Sequence, residues 1–180
     1  MSKIILFSIF VIFIFSSCSD QNEELSADKV ISIKFNKTTD GTEFKISDKQ
    51  LKGTPAEAEF FKTGKNIYVG DAEAEKRGKK RFGYWSCTQC HGPTAKGQVG
   101  PGLVGPTFKY PKDATNKGMF ETAWYGTDGG MGGKGFGIMA PEDGLKVDEL
   151  LKIIAWIRTN GRKDSTGNVI LTGNEDLNEQ

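Results

Sequence analysis

Two short segments between residues 31 and 46 alternate apolar and polar positions. The apolar members are Ile31, Ile33, Phe35, Phe44 and Ile46. Alternation of this kind is typical of half-buried β-strands, and Asp40-Gly41 between the segments has the composition of a turn. The pattern predicts a β-hairpin, which must pack on the rest of the chain because an isolated hairpin is barely stable in water.

Helical spacing of apolar residues is clearest near the carboxyl end. The residues that recur three or four positions apart are Val147, Leu150, Leu151, Ile154 and Ile157. Acidic residues occupy the first turn and Asn160-Gly161 provides a stop, so a helix is predicted to end there. Residues 161–180 beyond it are polar and are expected to form a loose tail.

Two further helices are predicted upstream. One is short and covers Glu57 to Lys62 after Pro55, a residue that suits a first helical turn. The other runs from Ala72 to Phe82 despite Gly78. We expect Gly78, Phe82 and Trp85 to be core residues that cross the last helix near Trp156.

The segment from Gly92 to Gly144 holds most of the glycines and shows little periodicity, apart from a helix-like stretch around Met119. An irregular segment of this length needs something besides its own side chains to order it. The sequence therefore predicts a bound cofactor.

The amino terminus has the pattern of an export signal. Lys3 precedes an apolar run from Ile4 to Phe15, which is shorter than the roughly 20 residues of a membrane-spanning helix. Cys18 follows two small serines and resembles the lipidated cysteine of a bacterial lipoprotein. We predict a lipid anchor at Cys18 on the periplasmic side of a membrane; the alternatives are an ordinary cleaved signal, which would leave a soluble periplasmic protein, and an uncleaved anchor.

Charge and histidine content exclude several classes of protein. The 180-residue chain has a formal net charge of +1, so a broadly basic nucleic-acid-binding protein is not expected. It contains one histidine, which excludes a multi-histidine zinc centre and bis-histidine haem ligation within one chain.

The chemistry is concentrated in Cys87-Thr88-Gln89-Cys90-His91. This C-x-x-C-H order is the attachment signature of c-type haem, in which Cys87 and Cys90 bind the porphyrin and His91 ligates its iron. A redox disulfide would need a βαβ context that the pattern lacks. A structural zinc site would need four ligands, and the motif offers three.

An ordered series of segments resembles cytochrome cL, the haem c electron acceptor of methanol dehydrogenases that use pyrroloquinoline quinone (PQQ), of the calcium or lanthanide type. The segments are Thr63–Tyr68, Gly70–Ala74, the haem motif, Gly97–Leu103, Tyr110-Pro111, Gly118–Thr122, Gly129–Met131 and Ile154–Arg158. The resemblance implies a mainly α, class I cytochrome c fold over residues 71–160. The predicted domain over residues 71–160 is preceded by a signal over 1–17, a polar linker over 18–29 and an extension over 30–70 that contains the hairpin.

The resemblance also implies roles for single residues. Pro101 is similar to the proline whose carbonyl receives the Nδ1 proton of the haem-ligating histidine, and Leu103 would pack on the ring. Met139, followed by Ala140-Pro141, resembles the methionine that is the sixth iron ligand. Met131 is the alternative. Some members of the family also bind calcium, but no acidic cluster here predicts it.

The function expected from these features is one-electron transfer without catalysis. The donor would be a PQQ-dependent methanol or alcohol dehydrogenase, and the acceptor a downstream cytochrome or terminal oxidase. The alternatives are a haem enzyme of the peroxidase or reductase type with an open iron site, and a lipoprotein binding module stabilised by a Cys87–Cys90 disulfide.

Overall fold

The computed structural model describes residues 33–175 except 138, 162 and 169. Five helices are present in this part: α1 (Pro55–Thr63), α2 (Ala72–Tyr84), α3 (Cys87–His91), α4 (Asn116–Tyr125) and α5 (Val147–Thr159). Three 3-10 turns cover Asp48–Gln50, Pro111–Ala114 and Pro141–Asp143. The predicted export signal, the predicted polar linker and the predicted lipidation site Cys18 lie outside the described residues. None of the described helices is long and apolar enough to cross a membrane.

The predicted hairpin is present. Strands β1 (Phe35–Asn36) and β2 (Glu43–Phe44) pair antiparallel with Phe35 opposite Phe44. Phe35 is buried and packs on Phe60 of α1 and Phe120 of α4, with ring centroids 5.7 and 5.3 Å apart. The extension is thus attached to the helical domain through an aromatic core.

Local capping explains where α1 and α2 begin. Thr54 and Glu57 form a reciprocal capping box at the start of α1, whose first residue is Pro55. The Asp71 side chain accepts the backbone N–H groups of Glu73 and Ala74 at the start of α2. Both helices match their predicted positions within a few residues.

Helices α2 and α5 cross at Gly78, where the two backbones touch. A Cβ atom at this position would lie 1.9 Å from the carbonyl oxygen of Lys152. Next to the crossing, Phe82 packs against Trp156 with ring centroids 4.9 Å apart. The predicted glycine contact between the two helices is therefore present. It sets the position of α2 against α5, and α3 follows directly after α2.

The C-terminal segment does not behave as the loose tail that its polar sequence predicted. The backbone carbonyl of Gly173 accepts the Asn116 N–H at 2.8 Å, and the Asn174 side chain accepts the backbone N–H of Asn66 at 2.7 Å. Asn66 and Asn116 are fully buried. The segment up to residue 175 is held on the domain because it satisfies buried backbone groups of two other segments.

Candidate haem site

The C-x-x-C-H motif forms the one-turn helix α3. Ser86 before it has a φ of 59° and Gly92 after it a φ of 74°, so the chain turns sharply at both ends. Side chains three and four positions apart share one face of a helix. Cys87, Cys90 and His91 consequently line the same cavity.

This cavity has a volume of about 360 Å³. One part of its wall comes from α3 and the loop behind it: Ser86, Cys87, Cys90, His91, Val99, Gly100, Pro101 and Leu103. The other part comes from segments further along the chain: Lys109, Tyr110, Asp113, Thr122, Thr127, Gly129, Gly130, Met131, Gly132 and Lys134. The glycine-rich region thus wraps around the motif.

His91 is buried and held in a fixed orientation. Its Nδ1 lies 2.8 Å from the Pro101 carbonyl oxygen. Because a carbonyl only accepts hydrogen bonds, Nδ1 carries the proton and the Nε2 lone pair is available for a metal. This is the contact predicted for Pro101. Leu103 lies in the cavity wall, and its N–H donates to the Ala95 carbonyl at 2.8 Å; its contact with the ring stays a prediction.

The two motif cysteines are not joined by a disulfide. Cys87 is half-buried and Cys90 is exposed. Burial raises the pKa of the Cys87 thiol, against a smaller lowering by the positive charge of Lys134. Both cysteines line the cavity from one face of α3, as two thioether attachment points for one ligand require.

The methionines are placed differently from the sequence assignment. Met139 has a side chain that is 93% exposed and is absent from the cavity wall, whereas Met131 lies in that wall with His91. Met119 is buried in the core. Met131, the alternative, therefore lies in the same cavity as His91, and Met139 does not; which of the two is the sixth iron ligand stays a prediction.

Met131 reaches the cavity because the glycine-rich loop folds back on itself. Gly126 and Gly132 form an antiparallel bridge, and the N–H of Thr127 donates to the Met131 carbonyl at 2.9 Å. Gly130 has a φ of 91°, which residues with a side chain rarely adopt. The assignment of Met139 depends on the spacing between Met139 and the last helix. That spacing does not reveal the turn that brings Met131 into the cavity.

The polar part of the wall was not predicted. It contains Lys109, Tyr110, Thr127 and Lys134, and also Asp113, whose carboxylate accepts a 2.6 Å hydrogen bond from the Thr122 hydroxyl. Burial raises the pKa of Asp113 to about 6. No local pattern marks these residues, because they come from separate segments that only the fold brings together.

The donor set fits a haem c. It offers two thiols on one helical face, an imidazole with a free Nε2, a thioether, an apolar surface at Leu103 and a group of cations suited to carboxylates. A calcium site is not supported, since no group of three or more histidine, cysteine or acidic side chains in the described part of the chain is arranged to hold a metal ion.

Comparisons with known proteins show which family the chain resembles. The family model for cytochrome c matches residues 75–161. Cytochrome c-L of Methylorubrum extorquens is 36% identical over 128 residues, which are 70% of this chain and 61% of that protein. The chain thus spans less than two thirds of the length of this curated relative.

Two crystal structures of cytochrome cL resemble the fold. The protein from Methylophaga aminisulfidivorans has a TM-score of 0.63 and 37% identity, covering 71% of this chain and 80% of that one. The protein from Hyphomicrobium denitrificans has a TM-score of 0.64 and 36% identity, covering 74% and 77%. With its C-x-x-C-H helix, its His91–Pro101 hydrogen bond and these relatives, the chain belongs to the cytochrome cL family of class I c-type cytochromes.

Proposed function

We propose that this protein is a monohaem cytochrome that carries one electron at a time from a periplasmic PQQ-dependent methanol or alcohol dehydrogenase to a downstream cytochrome or oxidase. The observation that carries the proposal is the single cavity into which Cys87, Cys90, His91 and Met131 converge. Haem c, when bound, supplies a one-electron iron couple. The donor class follows from the resemblance of the sequence to cytochrome cL.

Each of these residues has a distinct task. Cys87 and Cys90 attach the porphyrin, and His91 offers Nε2 to the iron while its hydrogen bond to Pro101 keeps the ring in place. Met131, rather than Met139, provides the sixth ligand. A thioether in that position favours ferrous iron and raises the potential, which suits an electron acceptor.

A second protein ligand to the iron would distinguish this function from that of a haem enzyme. A peroxidase or reductase needs an open coordination position for its substrate. His91 and Met131 line the same cavity, so two protein ligands would be available to the iron, and oxygen or peroxide would have to displace one of them. Electron transfer is thus favoured over substrate conversion.

The location belongs to the same proposal. Export follows from the apolar segment Ile4 to Phe15, and attachment to a membrane follows from lipidation of Cys18. Each acyl chain contributes roughly 0.8 kcal/mol per buried CH₂, so a cysteine carrying several chains stays on the membrane.

Expression of the full chain with a c-type maturation system tests the cofactor. A pyridine haemochrome spectrum and intact mass are expected to show one covalent haem in the wild type and none in a Cys87→Ser/Cys90→Ser variant. Cys18→Ser is the matched cysteine control: it should keep the haem and lose the mass increment of the acyl chains. A colourless wild-type protein, for example one with a Cys87–Cys90 disulfide, would refute the cytochrome assignment.

Stopped-flow reduction tests the donor. The oxidised cytochrome is mixed with a PQQ-dependent methanol dehydrogenase, of the calcium or the lanthanide type, with and without methanol. Methanol-dependent reduction is the expected result, and a haem-loaded protein that neither dehydrogenase reduces would exclude this donor. Ready binding of carbon monoxide to the reduced protein would instead favour the haem enzyme.

A further inference from the structure

A buried carboxyl group lies in the wall of the haem cavity. Asp113 belongs to the 3-10 turn Pro111–Ala114 and is 4% exposed. Its carboxylate accepts the Thr122 hydroxyl at 2.6 Å, and Thr122 in turn lies 2.9 Å from the Thr38 hydroxyl. Asp113 and Thr122 both line the cavity that holds His91 and Met131. The pair therefore lines the cavity in which the proposed redox group would be bound.

The positive charges around Asp113 lower its pKa by less than burial raises it. Arg158 donates to the backbone carbonyl of Asp113 at 2.8 Å and to the Asn116 side chain, and Lys112 pairs with the buried Glu121 at 2.7 Å. Besides the C-x-x-C-H residues, the other polar and charged residues in the cavity wall are Ser86, Lys109, Tyr110, Thr127 and Lys134. Burial consequently dominates and raises the pKa of Asp113 to about 6, although Thr122, Lys112 and Arg158 each lower it.

We propose that Asp113 takes up a proton when the site is reduced and releases it when the site is oxidised. The proposal rests on the haem site proposed above and assigns a further role to one of its wall residues. In the coupled step, one electron arrives from the dehydrogenase and one proton arrives from solvent. The carboxylate becomes a neutral carboxylic acid. When the downstream acceptor takes the electron, the carboxylic acid releases its proton to solvent.

The direction follows from electrostatics. Reduction adds one negative charge near Asp113, which disfavours the carboxylate and raises the pKa of Asp113 above its value in the oxidised protein. Between these two pKa values, reduction requires a proton, so the midpoint potential falls as pH rises. The slope is at most about 59 mV per pH unit, the equivalent of a tenfold change for one electron, and it vanishes outside the window.

Spectroelectrochemical titration of the haem-loaded protein across about pH 4 to 8, the range that brackets ordinary and raised carboxyl pKa values, tests this role. The wild type is expected to show a pH-dependent segment near pH 6, and Asp113→Asn is expected to remove it. Asp128→Asn is the control, because Asp128 is an exposed acid between the wall residues Thr127 and Gly129. That variant should keep the segment.

Thr122→Val supplies a second, independent variant. It removes the hydroxyl donor that favours the carboxylate, so the pH-dependent segment should move to higher pH while its amplitude stays similar. A slope that survives Asp113→Asn would assign the proton to another group, such as a carboxylate of the haem itself, and would overturn the proposal. A flat profile in the coloured wild-type protein would overturn it too, whereas absence of haem would refute the proposed function instead.

Discussion

The Nδ1 atom of His91 donates a 2.8 Å hydrogen bond to the carbonyl oxygen of Pro101. The loop that makes this contact is fastened to α3 by two backbone bonds, from Gly97 to the His91 carbonyl at 3.0 Å and from Gly100 to the Cys90 carbonyl at 2.8 Å. The orientation of the imidazole is consequently a property of the loop as a whole. A variant that disturbs the loop should change the orientation of the His91 imidazole toward the iron, although no ligating atom is altered.

Gly100→Ala tests this coupling. A Cβ atom at Gly100 would lie 3.2 Å from Cε1 of His91 and 3.3 Å from the Cys90 carbonyl oxygen, so the ring or the loop must yield by a few tenths of an ångström. We expect a measurable shift of the midpoint potential and a loss of about 1 kcal/mol in the free energy of unfolding, the lower end of overpacking costs.

Gly132→Ala is the control for that change. Gly132 also lines the cavity, but a Cβ atom there meets nothing within 4 Å. The potential of this variant should stay close to that of the wild type. Equal shifts in the two variants would mean that the loop does not control His91.

Separate alanine substitutions of Met131 and Met139 identify the sixth ligand. Met131→Ala should abolish the methionine-to-ferric-iron charge-transfer band and allow carbon monoxide to bind the reduced protein, because the thioether in the cavity is lost. Met139→Ala should leave both properties unchanged, since that side chain is 93% exposed. The reverse result would restore Met139 as the ligand and would require the loop around it to rearrange in the haem-loaded protein.

Gly78→Ala should weaken the crossing of α2 and α5. The added Cβ would meet the Lys152 carbonyl oxygen at 1.9 Å, and a backbone atom has no rotamer to escape into. We expect a loss of about 3 kcal/mol in the free energy of unfolding, at the upper end of overpacking costs, measured by urea denaturation.

Gly83→Ala lies in the same helix and provides the matched comparison. A Cβ atom at Gly83 meets nothing within 4 Å, so alanine should be neutral or stabilising by up to about 1 kcal/mol through its higher helix propensity. Similar losses in both variants would show that the close contact of Gly78 with Lys152 does not determine the effect.

Tyr68 should make the stability depend on pH in alkaline solution. Burial and a 2.7 Å hydrogen bond to Asp148 raise the pKa of Tyr68 from 10.0 to about 12. The neutral phenol is favoured in the fold, so its contribution is complete below pH 10 and is lost as pH rises through about 12. Tyr68→Phe should cost about 1 kcal/mol below that window, the usual net value of a hydrogen bond, and its difference from the wild type should shrink within it.

Tyr84→Phe serves as the comparison for this alkaline effect. The Tyr84 side chain is 70% exposed and lies against the Arg81 guanidinium. Unfolding of this variant should follow the wild type across the same pH range. A Tyr68→Phe protein whose difference from the wild type is the same at every pH would contradict the assignment.

Local sequence was sufficient for the helices and for the haem motif. The apolar positions of α5, the Asp71 cap of α2 and the Thr54-Pro55 start of α1 act within one or two helical turns, so their effects can be read along the chain. The C-x-x-C-H spacing places Cys87, Cys90 and His91 on one face of a single turn for the same reason.

The sequence by itself therefore determined the elements and the haem-binding helix, while the tertiary structure decided what faces that helix. Met131 reaches the cavity through a turn of the glycine-rich loop, and Asp113 acquires its raised pKa from burial beside Thr122. Asn174 is held by Asn66 and Asn116 from distant segments. These contacts depend on which distant segments pack against each other, and neither the spacing nor the composition of the sequence specifies that packing.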